Sequence, residues 1–123
     1  PEKGLAAMFI MMNAARLGVG LQGLAQAEVA YQNAVQYAKD RRQGRALKSD
    51  ARDPAAKADT LLVHPDVRRM LMRARAFNES ARALILWGAL QVDLSRKSQT
   101  EEERQAADDL ISLLTPVIKG YLT

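Results

Sequence analysis

The chain has 123 residues, about the length of one ordinary domain, and its hydrophobic content of 48% is that of a globular protein rather than a disordered one. It contains no cysteine, which excludes disulfides, thiolate metal sites and cysteine nucleophiles. The net charge of +4 leaves nucleic acid, membrane surfaces and small anions open as partners.

The first predicted helix covers residues 5–42, where apolar side chains recur every three or four positions. They form two lines, which together make the wide apolar face of a helix with neighbours on more than one side. One line contains Leu5, Phe9, Met12 and Val19, and the other contains Ile10, Ala14, Leu17, Leu21, Leu24, Tyr31, Val35 and Ala38. The sequence has no run of 18 apolar residues and no visible signal peptide, so we expect a cytoplasmic chain that neither spans nor binds a membrane.

A polar stretch at residues 44–63 is predicted to be a long, mobile surface loop. Gly44 at its start suits the end of a helix, and Pro65 after it suits the first position of a second helix over 65–96. Thr100 and Glu103 form a capping box that opens a third helix over 100–122. The expected core positions of this third helix are Ala106, Leu110, Leu113, Leu114, Val117, Ile118 and Tyr121.

These elements predict an all-α fold, in which residues 1–123 form a single domain built as an antiparallel helical bundle of three long helices. No segment has the pattern of a strand. The chain begins at Pro1 rather than methionine and stops at Thr123 within an apolar pattern. We therefore expect a fragment of a longer protein, with a fourth helix that is missing or supplied by another chain.

Gly18, Gly20 and Gly23 match the G-x-G-x-x-G pattern of dinucleotide-binding sites. That pattern needs a strand directly before it, whereas residues 13–17 continue a helix, so we interpret the glycines as a place where another helix approaches closely. His64 is the only histidine and is interpreted as a helix-entry residue, because no cysteine or carboxylate stands at metal-ligand spacing from it. We expect no metal site.

A cluster of basic residues surrounds the end of the first helix: Lys39, Arg41, Arg42, Arg45 and Lys48. Cations at this end of a helix complement its dipole, which is a sufficient structural reason for them. The functional alternative is an anion site, because arginine binds phosphate oxygens through paired hydrogen bonds. Nucleic acid is the less favoured anion, since aromatic residues do not alternate with the basic ones and no DNA-binding motif is recognisable.

Residues 37–44 read Tyr-Ala-Lys-Asp-Arg-Arg-Gln-Gly and resemble the Tyr-Ala-x-x-Arg-x-Gln-Phe-Gly ending of the first helix in the C-terminal domain of acyl-CoA dehydrogenases. The spacing from Arg16 to Arg41 also matches that family, and similar stretches at 64–71, 79–84 and 114–123 extend the resemblance over nearly the whole chain. The family's phenylalanine is missing between Gln43 and Gly44. With the long loop that follows, this variant is most similar to the branch containing the 3-methylmercaptopropionyl-CoA dehydrogenases.

The resemblance implies part of a four-helix-bundle-like domain of an FAD-dependent enzyme that desaturates acyl-CoA thioesters between the α and β carbons. It implies that Arg41 contacts the FAD pyrophosphate of a neighbouring subunit, with Gln43 beside it. Asn13 and Arg16 would lie near the CoA part of the substrate. The implied partners are an acyl-CoA, an electron-transfer flavoprotein or similar acceptor, and further copies of the chain in a homo-oligomer.

The resemblance puts the family's catalytic base in one of two positions, either beyond Thr123 or directly before Arg16, where this chain has Ala15. Alanine cannot accept a proton, so we expect no catalytic residue within the chain and no activity of the chain alone. Two alternatives stay open at this point. One is a non-catalytic helical module for oligomerisation, and the other is a basic helical nucleic-acid binder.

Overall fold

A computed structural model describes residues 3–123, and within that range it contains three long α-helices and no strand. The helices are α1 (Gly4–Asp40), α2 (Pro65–Lys97) and α3 (Glu101–Leu122), and two short 3-10 turns lie between α1 and α2 at Ser49–Ala51 and Leu61–Val63. The predicted all-α helical-bundle class is confirmed.

The chain forms two compact units, and both α1 and α2 run from one unit into the other. The first unit comprises Ser80–Thr123 and the described part of Pro1–Ala25, and the second comprises Gln26–Glu79. The expectation of one domain over 1–123 stays a prediction.

The ends of α2 and α3 follow local chemistry that the sequence makes visible. Pro65 is the first residue of α2, where its missing N–H removes no helical hydrogen bond. The Thr100 hydroxyl accepts the backbone N–H of Glu103 at 3.3 Å, which is the first half of the predicted capping box. The Arg104 guanidinium donates to the Ser98 carbonyl at 2.6 Å, so it ties the short connection between α2 and α3 to the first turn of α3.

Glycines of the first unit allow α3 to lie unusually close to α1 and α2. A Cβ added to Gly20 would lie 3.0 Å from Cγ2 of Ile118, and one added to Gly88 would lie 2.8 Å from Cδ1 of the same residue. At Gly23 an added Cβ would overlap the backbone carbonyl oxygen of Leu122. The interpretation of the glycine pattern as a helix contact therefore holds at Gly20 and Gly23, but not at Gly18, which has open space around it.

The buried face of α3 matches the sequence prediction at Ile118 but not at Leu113, Val117 and Tyr121. Residues 107, 111, 115, 118 and 122 are buried, whereas Leu113, Val117 and Tyr121 are between 53% and 67% exposed. The helix has two apolar lines, and the glycine surfaces of α1 and α2 accept the one that contains Ile118. Small residues on the facing helices decided the register, and hydrophobicity along α3 alone does not reveal them.

The second unit has a buried polar contact between α1 and α2. Asn78 is 2% exposed, and its amide nitrogen donates to a carboxylate oxygen of Glu28 at 3.0 Å. The other oxygen of Glu28 accepts a hydrogen bond from the side chain of Gln32 at 2.9 Å. Such a contact favours one helix register, because sliding the helices would leave a buried amide without a partner.

Helix α1 is, by length and composition alone, apolar enough to cross a bilayer, and it is the only described helix that is. Only 6% of the most apolar stretch of this helix is buried. The sequence shows no unbroken apolar run here, because a few polar residues interrupt the apolar part of α1. A helix that packs against other protein passes the same test, so the absence of membrane contact stays a prediction.

We expect Gly23→Ala to lower the free energy of unfolding by about 1–3 kcal/mol, the usual cost of overpacking, because backbone cannot move aside as a side chain can. Gly18→Ala on the same helix is the matched control, and it should raise stability by about 0.5–1 kcal/mol through helix propensity. Urea unfolding followed by circular dichroism measures both. Equal stabilities of the two variants would contradict this account of the helix contact.

Candidate functional site

The backbone after α1 turns into a short antiparallel pairing with the residues that precede α2. Arg42 and Thr60 form an isolated bridge. The Arg41 carbonyl accepts the N–H of Leu61 at 2.8 Å, and the N–H of Gln43 donates to the Asp59 carbonyl at 2.9 Å. The helix predicted to reach residue 42 therefore ends at Asp40, because residues 41–43 adopt an extended conformation to make this pairing.

Gly44 and His64 close this pairing on the side away from α1. Gly44 has φ of 70°, a left-handed conformation that glycine adopts without strain. The Nε2–H of His64 donates to the Gln43 carbonyl at 2.8 Å, and the His64 carbonyl accepts the N–H of Arg68 at 3.1 Å. His64 thus lies at the entry to α2, as predicted, and it also fixes the backbone beside Gln43.

The carboxylate of Asp59 organises the loop. It is 2% exposed, and its oxygens accept the backbone N–H groups of Ala46 and Asp53, both at 2.7 Å. Nη1 of Arg45 lies 3.3 Å from the same carboxylate. The backbone N–H of Asp59 also donates to the Gly44 carbonyl at 2.9 Å. A single aspartate therefore connects four points of the loop, so specific bonds define its conformation, and its predicted mobility stays a prediction.

Two of the five clustered cations are engaged inside this loop. Arg45 donates to the carbonyls of Ala56, at 2.5 Å, and Asp53, at 3.1 Å. Arg42 forms an ion pair with Asp53 at 2.9 Å and donates to the Ala58 carbonyl at 3.1 Å. These two arginines serve the loop itself, so the basic surface is smaller than the sequence suggests.

The side chains of Arg41 and Gln43 are not bonded to the loop, unlike that of Arg42, which lies between them in the sequence. Both are exposed, and neither forms a side-chain hydrogen bond or ion pair with any residue from 3 to 123. Alternate residues of an extended segment point to the same side, so Arg41 and Gln43 face away from the loop while Arg42 faces it. Their backbones are fixed at the same time by the bonds to Leu61, Asp59 and His64.

The other two predicted site residues lie in the first unit. Nη1 of Arg16 donates to Oδ1 of Asn13 at 3.0 Å, one turn earlier on α1. Arg16 is half-buried and Asn13 is exposed. The hydrogen bond orients the guanidinium and leaves its other N–H groups available to an anion. Ala15 adjoins this pair and offers only a methyl group.

Sequence reasoning singled out Arg41 and Gln43 but missed the residue that holds them. Asp59 stands alone in a polar stretch, and no spacing or motif distinguishes it from Asp50 or Asp53. Only the fold reveals that its carboxylate is buried. No group of three or more histidine, cysteine, aspartate or glutamate side chains from Lys3 to Thr123 is arranged to hold a metal ion.

The two backbone N–H groups that bind Asp59 lower the pKa of its carboxyl group below the ordinary 3.8, and Arg45 and Arg52 lower it further. A lowered pKa means that this carboxylate stabilises the fold above pH 3.8 and that its contribution is lost as the pH falls through the folded-state pKa.

We therefore expect Asp59→Asn to be less stable than the parent chain near neutral pH, with a difference that shrinks in strongly acidic solution. Urea unfolding at a series of pH values measures this. Asp50→Asn is the matched control, because Asp50 is exposed in the same loop. Its free energy of unfolding should equal that of the parent chain at every pH. A stability difference for Asp59→Asn that does not vary with pH would refute the assignment.

Comparison with known proteins finds matches over nearly the entire chain, although no family model matches. The chain is 46% identical over 122 residues to a 3-methylmercaptopropionyl-CoA dehydrogenase of Ruegeria pomeroyi, which covers 99% of this chain and 20% of that protein. It is 38% identical over 120 residues to a broad-specificity linear acyl-CoA dehydrogenase of Mycobacterium tuberculosis, and the match covers 97% of this chain and 20% of that protein. A butyryl-CoA dehydrogenase of Syntrophomonas wolfei is 35% identical over 121 residues, and the match covers 98% of this chain and 19% of that protein.

The chain thus spans about a fifth of the length of the curated relatives it matches. The resemblance found in the sequence is confirmed, including the similarity to a 3-methylmercaptopropionyl-CoA dehydrogenase. This chain is homologous, over almost all of its residues, to a segment of the acyl-CoA dehydrogenases.

Proposed function

We propose that this chain is the helical C-terminal domain of a cytoplasmic, FAD-dependent acyl-CoA dehydrogenase, which desaturates acyl-CoA thioesters between the α and β carbons. Within that enzyme the chain contributes to FAD binding, CoA binding and oligomerisation. The observation that carries the proposal is the exposed, unpaired guanidinium of Arg41 on a backbone that is fixed on both sides, in a chain related to these enzymes.

Arg41 and Gln43 fit the pyrophosphate part of FAD. The guanidinium of Arg41 is permanently charged and presents donors in a planar fork, which suits two phosphate oxygens. Gln43 can add an amide donor from the same side of the extended segment. Because the backbone is already ordered, binding an anion here costs little further conformational entropy. The flavin itself, when bound, supplies the hydride-accepting chemistry.

Asn13 and Arg16 are proposed to bind the CoA part of the substrate. The hydrogen bond at 3.0 Å holds the guanidinium of Arg16 in one orientation while its free N–H groups reach a phosphate. These residues position the thioester and do not exchange protons with it. The proton acceptor lies elsewhere in the enzyme, since Ala15 has no basic group. An electron-transfer flavoprotein or similar protein is the proposed electron acceptor.

The chain alone is proposed to be inactive and to hold FAD weakly. One hydrogen bond to a charged group contributes about 1.5–3 kcal/mol, whereas micromolar affinity needs about 8 kcal/mol. Arg41 therefore improves an FAD site that other parts of the enzyme create. The alternative of a nucleic-acid binder is less favoured, because Arg42 and Arg45 form bonds within the loop.

In the full-length enzyme, we expect Arg41→Ala to weaken FAD binding by about 10–100-fold, the equivalent of one charged hydrogen bond, without changing the helical content. Titration of the deflavinated enzyme with FAD, followed by flavin fluorescence, measures the affinity. Lys48→Ala is the matched control, because it removes an exposed cation from the same loop. An unchanged FAD affinity in Arg41→Ala would sink the proposed contact.

The homo-oligomer is proposed from the apolar surface near the start of α1, where Leu5, Ile10 and Met11 are 64%, 74% and 65% exposed. Apolar area of this kind favours association. We expect the chain to self-associate in sedimentation at about tens of micromolar and Ile10→Glu to weaken the assembly. Leu47→Glu, which changes an equally exposed loop residue, should have no effect. A monodisperse monomer under these conditions would count against the proposal.

A further inference from the structure

We propose that Asp59 is a positioning residue for the anion site formed by Arg41 and Gln43, and that its buried carboxylate controls how tightly that site binds the FAD pyrophosphate. This inference rests on the proposed function, because it takes Arg41 as a phosphate contact.

Asp59 holds the site from two sides. Its backbone accepts the N–H of Gln43 and donates to the carbonyl of Gly44, both at 2.9 Å. Its carboxylate accepts the N–H of Ala46 at 2.7 Å. Every residue from Gln43 to Ala46 except Arg45 therefore bonds to this one aspartate through its backbone, and Arg45 reaches it through its guanidinium at 3.3 Å.

The carboxylate is suited to this task because it accepts hydrogen bonds on both oxygens. The N–H of Ala46 and the N–H of Asp53 each approach a different oxygen. An asparagine of the same shape keeps one acceptor and turns its NH₂ group toward the second N–H, so one bond is lost and two donors face each other. The segment from Gly44 to Ala46 then keeps the backbone bond between Gly44 and residue 59 but is held less firmly by its side chain.

The consequence reaches Arg41 through the extended segment. The direction of the Arg41 and Gln43 side chains follows from the backbone pairing with residues 59–61, since alternate residues share a side only while the segment stays extended. A loosened pairing spreads these side chains over more orientations. Binding an anion must then order them again, and that ordering weakens the affinity.

The test is a double-mutant cycle for FAD affinity in the full-length enzyme. We expect Arg41→Ala to weaken FAD binding by about 10–100-fold and Asp59→Asn by about 5–10-fold in the parent background. In the Arg41→Ala background, Asp59→Asn should add less than about twofold, because the charged contact is gone and only the weaker, neutral donor of Gln43 is left to orient. Asp50→Asn should leave the FAD affinity unchanged in both backgrounds.

Each outcome separates the two proposals. An effect of Arg41→Ala together with no effect of Asp59→Asn overturns the inference and leaves the proposed function standing. Additive effects also overturn it, because a purely structural role of Asp59 lowers the affinity regardless of Arg41. No effect of Arg41→Ala overturns the proposed contact and the inference with it.

A second variant covers the case in which Asp59→Asn does not fold. Arg45→Gln keeps both backbone bonds to the carboxylate and removes only its ion pair and the bonds to the Ala56 and Asp53 carbonyls. The same cycle applies, with a smaller loss of FAD affinity that again disappears in the Arg41→Ala background. A loss that persists there contradicts the positioning role.

Discussion

The conformation of the loop between α1 and α2 depends on the buried carboxylate of Asp59, whose two oxygens each accept a hydrogen bond from the loop backbone. A charge taken out of water is costly unless hydrogen bonds replace its hydration, and Asp59 receives two backbone N–H groups and a nearby guanidinium. The polar loop obtains order from this centre in place of a hydrophobic core. Backbone hydrogen bonds connect this centre to the left-handed Gly44, to the segment after α1 and to the entry to α2 at His64.

The two units obtain their cohesion in different ways. In the first, glycines of α1 and α2 bring α3 close enough for Ile118 to be fully buried. In the second, the hydrogen bonds of the long loop and the hydrogen bond between Asn78 and Glu28 add polar contacts to the packing. Polar contacts of this kind are directional, so they fix side-chain positions more sharply than dispersion does. An anion site benefits from that precision.

The sequence predicts the helices well, because their signals are local. Pro65 and Thr100 mark helix starts through their own chemistry, and the predicted helix bounds lie within two residues of α1, α2 and α3. The predicted core of α3 was right at Ile118 but wrong at Leu113, Val117 and Tyr121, because the face that α3 buries depends on glycines far away in sequence. Arg41 and Gln43 could be named from a motif, whereas Asp59 could not, because its importance arises from bonds to residues up to 16 positions away, such as Gln43.

The bridge between Arg42 and Thr60 gives the loop a closed base, and the ties of Ala46 and Asp53 to Asp59 close it again further out. Beyond the second closure lies only a short tip around Lys48 and Asp50. For a flexible loop whose ends are already joined, doubling the length costs only about 0.6 kcal/mol in closure entropy. The tip can therefore gain or lose residues during evolution while the base keeps its shape. It is also a suitable point for attaching a fluorescent reporter.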